Sequence, residues 1–148
     1  MGDLSKNFSR YEFACLGEDC CDHSAPVMPE LVSGLQTLRD HVGLPLSTSC
    51  GFRCRRHNKA VSRTPDSQHT LGTAADVLCP EGFTPKQLAE LAETIPVFHD
   101  GGIGVYPGEG FVHVDVRVKK SRWGRLGGKY VTYEKAMNYN GENHHAAT

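Results

Sequence analysis

Hydrophobic side chains recur at helical spacing in two segments of the chain. The first segment begins at Pro29, which suits a first helical turn because proline has no backbone N–H, and it ends at Gly43. Its apolar positions are Leu31, Leu35, Leu38 and Val42. The second segment begins with Thr84 as N-cap and Pro85 at the first helical position. Its apolar positions are Leu88, Leu91 and Ile95. We predict one helix in each segment.

Short apolar runs and strict alternation predict four strands. They cover residues 45–49, 74–78, 101–106 and 111–118, and the last two flank a Pro-Gly-Glu-Gly turn at 107–110. Helices precede and separate these strands, most of which look antiparallel. The expected fold class is therefore α+β, with a small antiparallel sheet and helices packed on it.

The remaining segments have little periodicity. Residues 1–26 are loop-like and rich in cysteine, residues 51–58 form a basic loop, and residues 59–73 are polar and turn-rich. Residues 136–148 are expected to be a frayed tail. With no internal repeat and no long linker, the 148 residues are interpreted as a single domain, 1–148.

Composition excludes some classes of protein. A hydrophobic fraction of 39% is enough for a core, so wholesale disorder is not expected. The net charge of −1 argues against a globally basic nucleic-acid binder, although local patches stay open. No apolar run approaches the roughly 18–20 residues of a membrane span. The first residues also lack the apolar core of a secretion signal, so we expect no signal peptide.

The first candidate for chemistry is the pair His69 and Asp76. His69 lies in a polar turn, and Asp76 lies inside the apolar run Ala74–Leu78. An ionised carboxylate among apolar neighbours is costly unless a metal ion or an arginine compensates its charge. A spacing of seven is not diagnostic of a metal site, so a surface histidine with an arginine-paired aspartate stays open.

The second candidate is the alternating segment Phe111–Val118. Alternation places His113, Asp115 and Arg117 on one face of a strand and valines on the other. Alone, this pattern would indicate an ordinary amphipathic edge strand. Together with His69 and Asp76 it supplies two histidines and a carboxylate, the usual protein ligands of a catalytic zinc ion.

The third candidate is the arginine-rich loop that follows the first strand. Guanidinium groups bind carboxylates with two hydrogen bonds, so this loop could form an anion-binding rim. Arg53, near Gly51, is expected to point into a cleft. For Arg55 and Arg56 a solvated basic loop is the favoured interpretation.

The cysteines leave three alternatives open. They are Cys15, Cys20, Cys21, Cys50, Cys54 and Cys79. A second, structural zinc could be held by Cys15, Cys20, Cys21 and His23, although their spacing is irregular. Disulfides are possible, and Cys50 and Cys54 could pair with the N-terminal group to brace the loop of Arg53. Free buried thiols are the third alternative, while His144 and His145 are interpreted as incidental.

These motifs resemble a known family, the zinc peptidases of the D-alanyl-D-alanine carboxypeptidase type (peptidase M15-like). That family includes phage murein endopeptidases and shares its fold with the hedgehog signalling domain. The resemblance runs from about Phe8 to Val118. Its most specific part is the pattern Ser-x-His-x-x-Gly-x-Ala-x-Asp, which Ser67 to Asp76 fits nearly throughout. The resemblance implies a hedgehog/DD-peptidase-like fold.

The resemblance also implies roles for individual residues. His69, Asp76 and His113 match the zinc ligands. Arg53 matches the arginine that positions the substrate, and Ser67 matches the serine that can hydrogen-bond a substrate carboxylate.

The general base is less clear from the resemblance. Several relatives place an acid three residues before the last ligand, where this chain has Gly110. Asp115 is then the first candidate for the base, and Glu109 is the second.

The resemblance implies a Zn²⁺-dependent peptidase that hydrolyses amide bonds in peptidoglycan stem peptides. Either a D,D-carboxypeptidase or an L-alanyl-D-glutamate endopeptidase is expected, in a phage endolysin or a tail-associated hydrolase. Such a protein is made in the host cytoplasm and acts on the cell wall, with phage tail proteins as further partners. The alternative is a non-catalytic domain of the same fold that keeps zinc and serves in binding or in virion structure.

Overall fold

The structure is a computed structural model that describes residues 2–139 of the chain. His144 and His145 lie outside the described residues. In chain order the elements are a 3-10 helix Arg10–Phe13, α1 Pro29–Val42, β1 Thr48–Cys50, α2 Arg55–Val61, a second 3-10 helix Gln68–Leu71, β2 Ala74–Leu78, α3 Pro85–Glu93, α4 Pro96–His99, β3 Gly102–Tyr106, β4 Phe111–Asp115, β5 Ser121–Leu126, β6 Lys129–Val131 and α5 Tyr133–Met137.

Six strands form one sheet in the order β1-β2-β4-β3-β5-β6. Neighbouring strands are antiparallel except β3 and β5, which run parallel. The predicted α+β class with a mostly antiparallel sheet is confirmed. The parallel pair was not predicted, because the sequence indicated no strand after residue 118.

The sheet separates a hydrophobic core from the candidate site. Alternate residues of the central strands are fully buried against the helices, namely Ala75, Val77, Ile103, Val105, Val112 and Val114. Helix α1 contributes Leu31, Leu35 and Leu38 to this core, and α3 contributes Leu88. The residues between them, among them Asp76 and His113, project from the opposite face because side chains alternate along a strand.

Both predicted helices are confirmed, and α1 has the predicted boundaries, whereas α3 ends at Glu93, before the predicted apolar position Ile95, which is the N-cap of α4. Helix α1 begins at Pro29 and ends before Gly43, whose φ of 76° is a left-handed cap that glycine adopts without strain. Helix α3 begins after Thr84, which forms a reciprocal capping box with Gln87.

Two predictions around the arginine-rich segment were wrong in part. The strand expected at 45–49 is Thr48–Cys50, where Thr48 aligns with Val77 and Cys50 with Asp76 of β2. The second half of the expected loop 51–58 is helix α2, whose N-cap is Cys54. The helical turn is favoured because Cys54 Sγ accepts a hydrogen bond from the His57 amide.

The strand predicted over 111–118 ends at Asp115. Beyond it the Val116 amide still donates to the Thr73 carbonyl, the Arg117 side chain folds back onto Asp115, and Val118 is fully exposed. The elements β5, β6 and α5 beyond this point were missed. Helix α5 includes Ala136 and Met137, two residues of the segment expected to be frayed.

Among residues 2–139, no helix has the length and apolar character needed to span a membrane.

Candidate metal centre and substrate cleft

Three predicted zinc ligands converge on the open face of the sheet. Asp76 on β2 lies directly opposite His113 on β4 in the strand register. His69 arrives from the 3-10 helix that precedes β2. The Oδ1 atom of Asp76 lies 3.3 Å from His69 Nε2 and 3.1 Å from His113 Nδ1. Two imidazole nitrogens and one carboxylate oxygen therefore face the same point.

Each histidine is oriented through its other ring nitrogen. His69 Nδ1 donates to the carbonyl of Gly51 at 2.7 Å, which leaves Nε2 to face Asp76. His113 Nε2 donates to Asp115 Oδ2 at 2.7 Å, which leaves Nδ1 to face Asp76. A metal-binding histidine is usually oriented in this way by a carbonyl or carboxylate behind it.

Asp115 lies behind His113 rather than in the cleft. Its side chain is fully buried and accepts hydrogen bonds from the Gly102 amide and from the amide and guanidinium of Arg117. With His113 as a further donor, both carboxylate oxygens are occupied. This geometry fits poorly with the predicted role of Asp115 as a general base, because a base needs a free oxygen facing the substrate.

The centre combines buried charges of both signs. Burial by itself lowers the pKa of His69 and His113. The hydrogen bond of His69 to Asp76, and those of His113 to Asp115 and Asp76, raise the pKa of each histidine above the usual value. Burial raises the pKa of the two carboxyls, but the hydrogen bonds from His113, His69 and Arg117 hold the pKa of both well below the usual range.

Cys50 lies close to the same centre. Its Sγ, a nitrogen of His69 and an oxygen of Asp76 all lie within 4.8 Å of one another. However, Cys50 Sγ is 3.6 Å from His69 Nδ1, the nitrogen already bonded to Gly51. His69 Nε2 faces His113 and Asp76 on the other side of the ring. Cys50 therefore lies beside Nδ1, the nitrogen that orients the ring, and not beside the nitrogen that would bind a metal.

The donor set suits zinc. Neutral imidazole and carboxylate are ligands that zinc favours, and catalytic zinc sites use three protein ligands and leave one position open. His69, Asp76 and His113 line the wall of an open cleft, so three donors meet where a substrate has access.

Arg53 and Ser67 lie together in the cleft. Arg53 Nη2 donates to Ser67 Oγ at 3.0 Å, and the Arg53 amide donates to the carbonyl of His69 at 3.0 Å. The Arg53 Nε atom is buried and has no hydrogen-bond partner among residues 2–139. Arg53 also lines the cleft, so its guanidinium group can pair there with an anionic group of a ligand.

The other two arginines behave as expected for a solvated surface. Arg55 and Arg56 are exposed, and Arg55 lies 4.0 Å from Asp66.

An aromatic wall that the sequence did not predict faces the histidines. The Trp123 ring centre is 4.9 Å from that of His113, and its Nε1 donates to the Tyr106 hydroxyl at 3.0 Å. Phe111 stacks on Tyr106 at 4.2 Å. Burial raises the pKa of Tyr106 to about 12, so its hydroxyl stays protonated. Trp123, the chain's one tryptophan, was a usable signal, but β5, which carries it, was not predicted.

The cleft between these walls has a volume of about 620 Å³. Its acidic lining residues within the described part of the chain are Asp66, Asp76 and Glu109. Asp76 belongs to the metal centre and Asp66 faces Arg55, whereas Glu109 lies exposed in the turn between β3 and β4. Glu109 is thus a carboxylate at the cleft with both oxygens accessible.

Comparisons with known proteins identify the family of this chain. A search of curated proteins finds no match to this chain. A family model described as Peptidase M15 matches residues 6–115, which include Arg53, Ser67 and the three converging donors. Since that match covers most of the chain and all of the metal centre, the chain belongs to the peptidase M15 family.

Proposed function

We propose that this chain is a zinc-dependent peptidase that hydrolyses amide bonds in peptidoglycan stem peptides. The observation that carries the proposal is the convergence of His69 Nε2 and His113 Nδ1 on one oxygen of Asp76, beside Arg53 in an open cleft. Membership of the M15 family supports a peptidase, and the donor set supports zinc.

His69, Asp76 and His113 would hold the ion. Zinc bound there supplies Lewis acidity, which polarises the scissile carbonyl and lowers the pKa of water towards neutrality. Zinc binds the unprotonated ring nitrogens of His69 and His113, so zinc affinity should fall as the pH is lowered.

Arg53 and Ser67 are proposed to bind the substrate. The guanidinium is held by Ser67 on one side, while its buried Nε lacks a partner within the described residues. A carboxylate of a stem peptide would bind the guanidinium from the cleft, which Arg53 lines, and balance its charge. Stem peptides carry free carboxylates, which is the reason for proposing them over a neutral peptide.

Glu109 is proposed as the proton carrier. It takes a proton from the attacking water and returns one to the leaving amine nitrogen as the C–N bond breaks. Asp115 is then a positioning residue, because its oxygens hold His113 and Arg117 and do not face the cleft. The neutral hydroxyl of Tyr106 is free to donate to the substrate, since it already accepts from Trp123.

The test is digestion of purified murein sacculi by the zinc-loaded full chain. We expect new amino groups to be released, and mass spectrometry of the muropeptides identifies the bond cut. His69→Ala should abolish release, whereas His41→Ala, a change at an exposed histidine of α1, should leave it unchanged. Fully zinc-loaded wild-type protein that releases no amino groups would contradict the proposal and favour the non-catalytic alternative.

The biological setting stays a prediction. An endolysin or a tail-associated hydrolase, with phage tail proteins as partners, follows only from the family resemblance. Co-purification with virions would indicate a role in entry, and its absence together with lysis of the host would indicate release.

A further inference from the structure

We propose that Cys15, Cys20, Cys21 and Cys54 form a second, structural zinc site, separate from the cleft. The site uses none of the residues of the proposed peptidase centre, and none of its four cysteines lines the cleft. Its role would be to join the N-terminal loop to the start of helix α2.

The four sulfur atoms already cluster as a zinc ion requires. One Sγ from each cysteine lies within 4.8 Å of all the others. The Cys15–Cys20 and Cys20–Cys21 Sγ distances are both 3.9 Å. Four thiolates at about 2.3 Å around a tetrahedral zinc lie about 3.8 Å apart, so little movement would be needed to bind the ion.

The same distances argue against disulfides. A disulfide holds its sulfur atoms about 2.05 Å apart, and all six cysteines are free in the structure. Two disulfides would also divide the four sulfurs into pairs, whereas Cys20 is equally close to Cys15 and Cys21. A single shared ion accounts for this arrangement better than pairing does.

The loop around the sulfurs is bent to bring them together. Asp19, Asp22 and His23, on either side of the adjacent cysteines, all have φ near 55°, a left-handed backbone that is uncommon outside glycine and that Asp and His adopt more readily than most other residues. A Cβ on Gly17 would lie 2.8 Å from Cys20 Sγ and 2.7 Å from the His57 ring, so only glycine allows this approach.

The fourth ligand differs from the one considered from the sequence. The sequence groups His23 with the N-terminal cysteines, but the four residues whose ligand atoms lie together are Cys15, Cys20, Cys21 and Cys54. The His23 ring is directed elsewhere, with Nδ1 2.7 Å from the carbonyl of Cys15 and Nε2 4.0 Å from Glu18. Cys54 takes that place from a distant part of the chain, and its sulfur accepts from the His57 amide at 3.3 Å. Amide donors of this kind stabilise a thiolate, the form that binds zinc.

A metal here would brace the residue that we propose to bind substrate. Arg53 directly precedes Cys54, and its amide is tied to His69. Phe52 is bonded in turn to Phe13 of the N-terminal segment. A zinc ion bound to Cys15 and Cys54 would cross-link these same two segments.

Metal content of the full chain tests the proposal. Purified in the presence of zinc, the wild type should hold two zinc ions per chain, and His69→Ala should hold one. Cobalt bound to His69→Ala should show the strong visible absorption of a tetrathiolate site, because cobalt with nitrogen and oxygen ligands absorbs far more weakly.

Cysteine variants locate the second ion. In the His69→Ala background, Cys54→Ser should reduce zinc to below one ion per chain and remove the cobalt absorption. Cys79→Ser is the matched control, since Cys79 lies outside the cluster, and it should change neither. Because these measurements use a variant that lacks the proposed ligand His69, they test the four-cysteine site whether or not the chain is a peptidase.

A measurement on the wild type covers the case in which Cys54→Ser does not fold. Alkylation followed by mass spectrometry should modify the four cysteines only after a chelator is added. Four thiols that react without chelator, a mass loss from disulfide formation, or iron with inorganic sulfide in place of zinc would each overturn the proposal.

Discussion

At the scale of single residues, two carboxylates near the metal centre have different surroundings. Asp115 is fully buried and bonded to His113, Arg117 and the Gly102 amide. Glu109 is exposed in a turn at the cleft. Burial and hydrogen bonding rather than residue type therefore separate a positioning residue from a candidate proton carrier.

Glu109→Gln should lower kcat/KM by about 10²- to 10⁴-fold, because the amide keeps the shape of the side chain but cannot accept the proton. Zinc affinity should not change. Steady-state hydrolysis of muropeptides and zinc titration measure the two quantities. Glu81→Gln, at an exposed position outside the residues that line the cleft, is the control. Full activity of Glu109→Gln would exclude Glu109 as the base.

Asp115→Asn should have the opposite effect to Glu109→Gln, with weaker zinc binding but little loss of activity once zinc is bound. Loss of the carboxylate that orients His113 should weaken zinc binding by about 10- to 100-fold. Much of the activity should return when zinc is in excess, because Asp115 does not face the substrate. Titration with a zinc buffer checks this expectation. Inactivity at full zinc occupancy would instead support Asp115 as the base.

At the scale of elements, an ionic cluster joins helix α3 to β5 and α5. Glu93 of α3 accepts hydrogen bonds from Arg122 at 2.6 and 3.0 Å and from the Tyr133 hydroxyl at 3.0 Å. His99 lies 3.4 Å away. Burial by itself raises the pKa of Glu93, but the hydrogen bonds and charge of Arg122 lower it below its usual value. This cluster anchors the strand that carries Trp123.

The lowered pKa makes part of the stability depend on pH. Because Glu93 binds its proton less readily in the folded state, its stabilising effect is present above the usual pKa of about 4.5 and is lost as the pH falls below it. The Tm difference between wild type and Glu93→Gln should therefore be constant near neutral pH and shrink in acid. Thermal unfolding at several pH values measures it.

The control for this prediction is Glu90→Gln on the same helix. Glu90 forms only a surface pair with Lys86 at 3.8 Å, and such pairs contribute about 0–1 kcal/mol. Its Tm difference should be small throughout. A Glu93→Gln difference that grows in acid would contradict the assigned cluster.

At the scale of the whole molecule, one sheet separates the hydrophobic core from the candidate metal centre. Helices α1, α3, α4 and α5 and the core lie on one face, and the metal centre and aromatic wall lie on the other. The alternation of side chains along β2, β3 and β4 produces this division, since neighbouring residues serve opposite faces. Core changes should therefore affect folding more than metal binding.

Leu35→Ala tests that separation. Leu35 is fully buried in α1, so the change should lower the free energy of unfolding by about 2–5 kcal/mol. Zinc content of the folded protein should stay the same. Leu44→Ala, at a side chain that is 40% exposed, should cost much less. Denaturant unfolding and metal analysis supply both measurements, and loss of zinc from folded Leu35→Ala would contradict the separation.

Several features of this protein follow from the sequence by itself. The helical spacing of apolar residues, with proline and glycine at the ends, determined α1, and Thr84 and Pro85 determined the start of α3, because these signals are local. Period 2 placed His113 and Asp115 on the face opposite the valines. The Ser67 to Asp76 motif indicated the family that the match over residues 6–115 shows.

Only the tertiary structure decided which groups face one another. Local pattern did not reveal that Arg117 folds back to cover Asp115, that β5 brings Trp123 to His113, or that Cys54, rather than Cys50 or His23, completes the group of N-terminal cysteines. These contacts depend on strand register and chain folding between distant segments. The hydrophobic periodicity of a segment indicates only which face of its own helix or strand a residue occupies. It carries no information about contacts between distant segments.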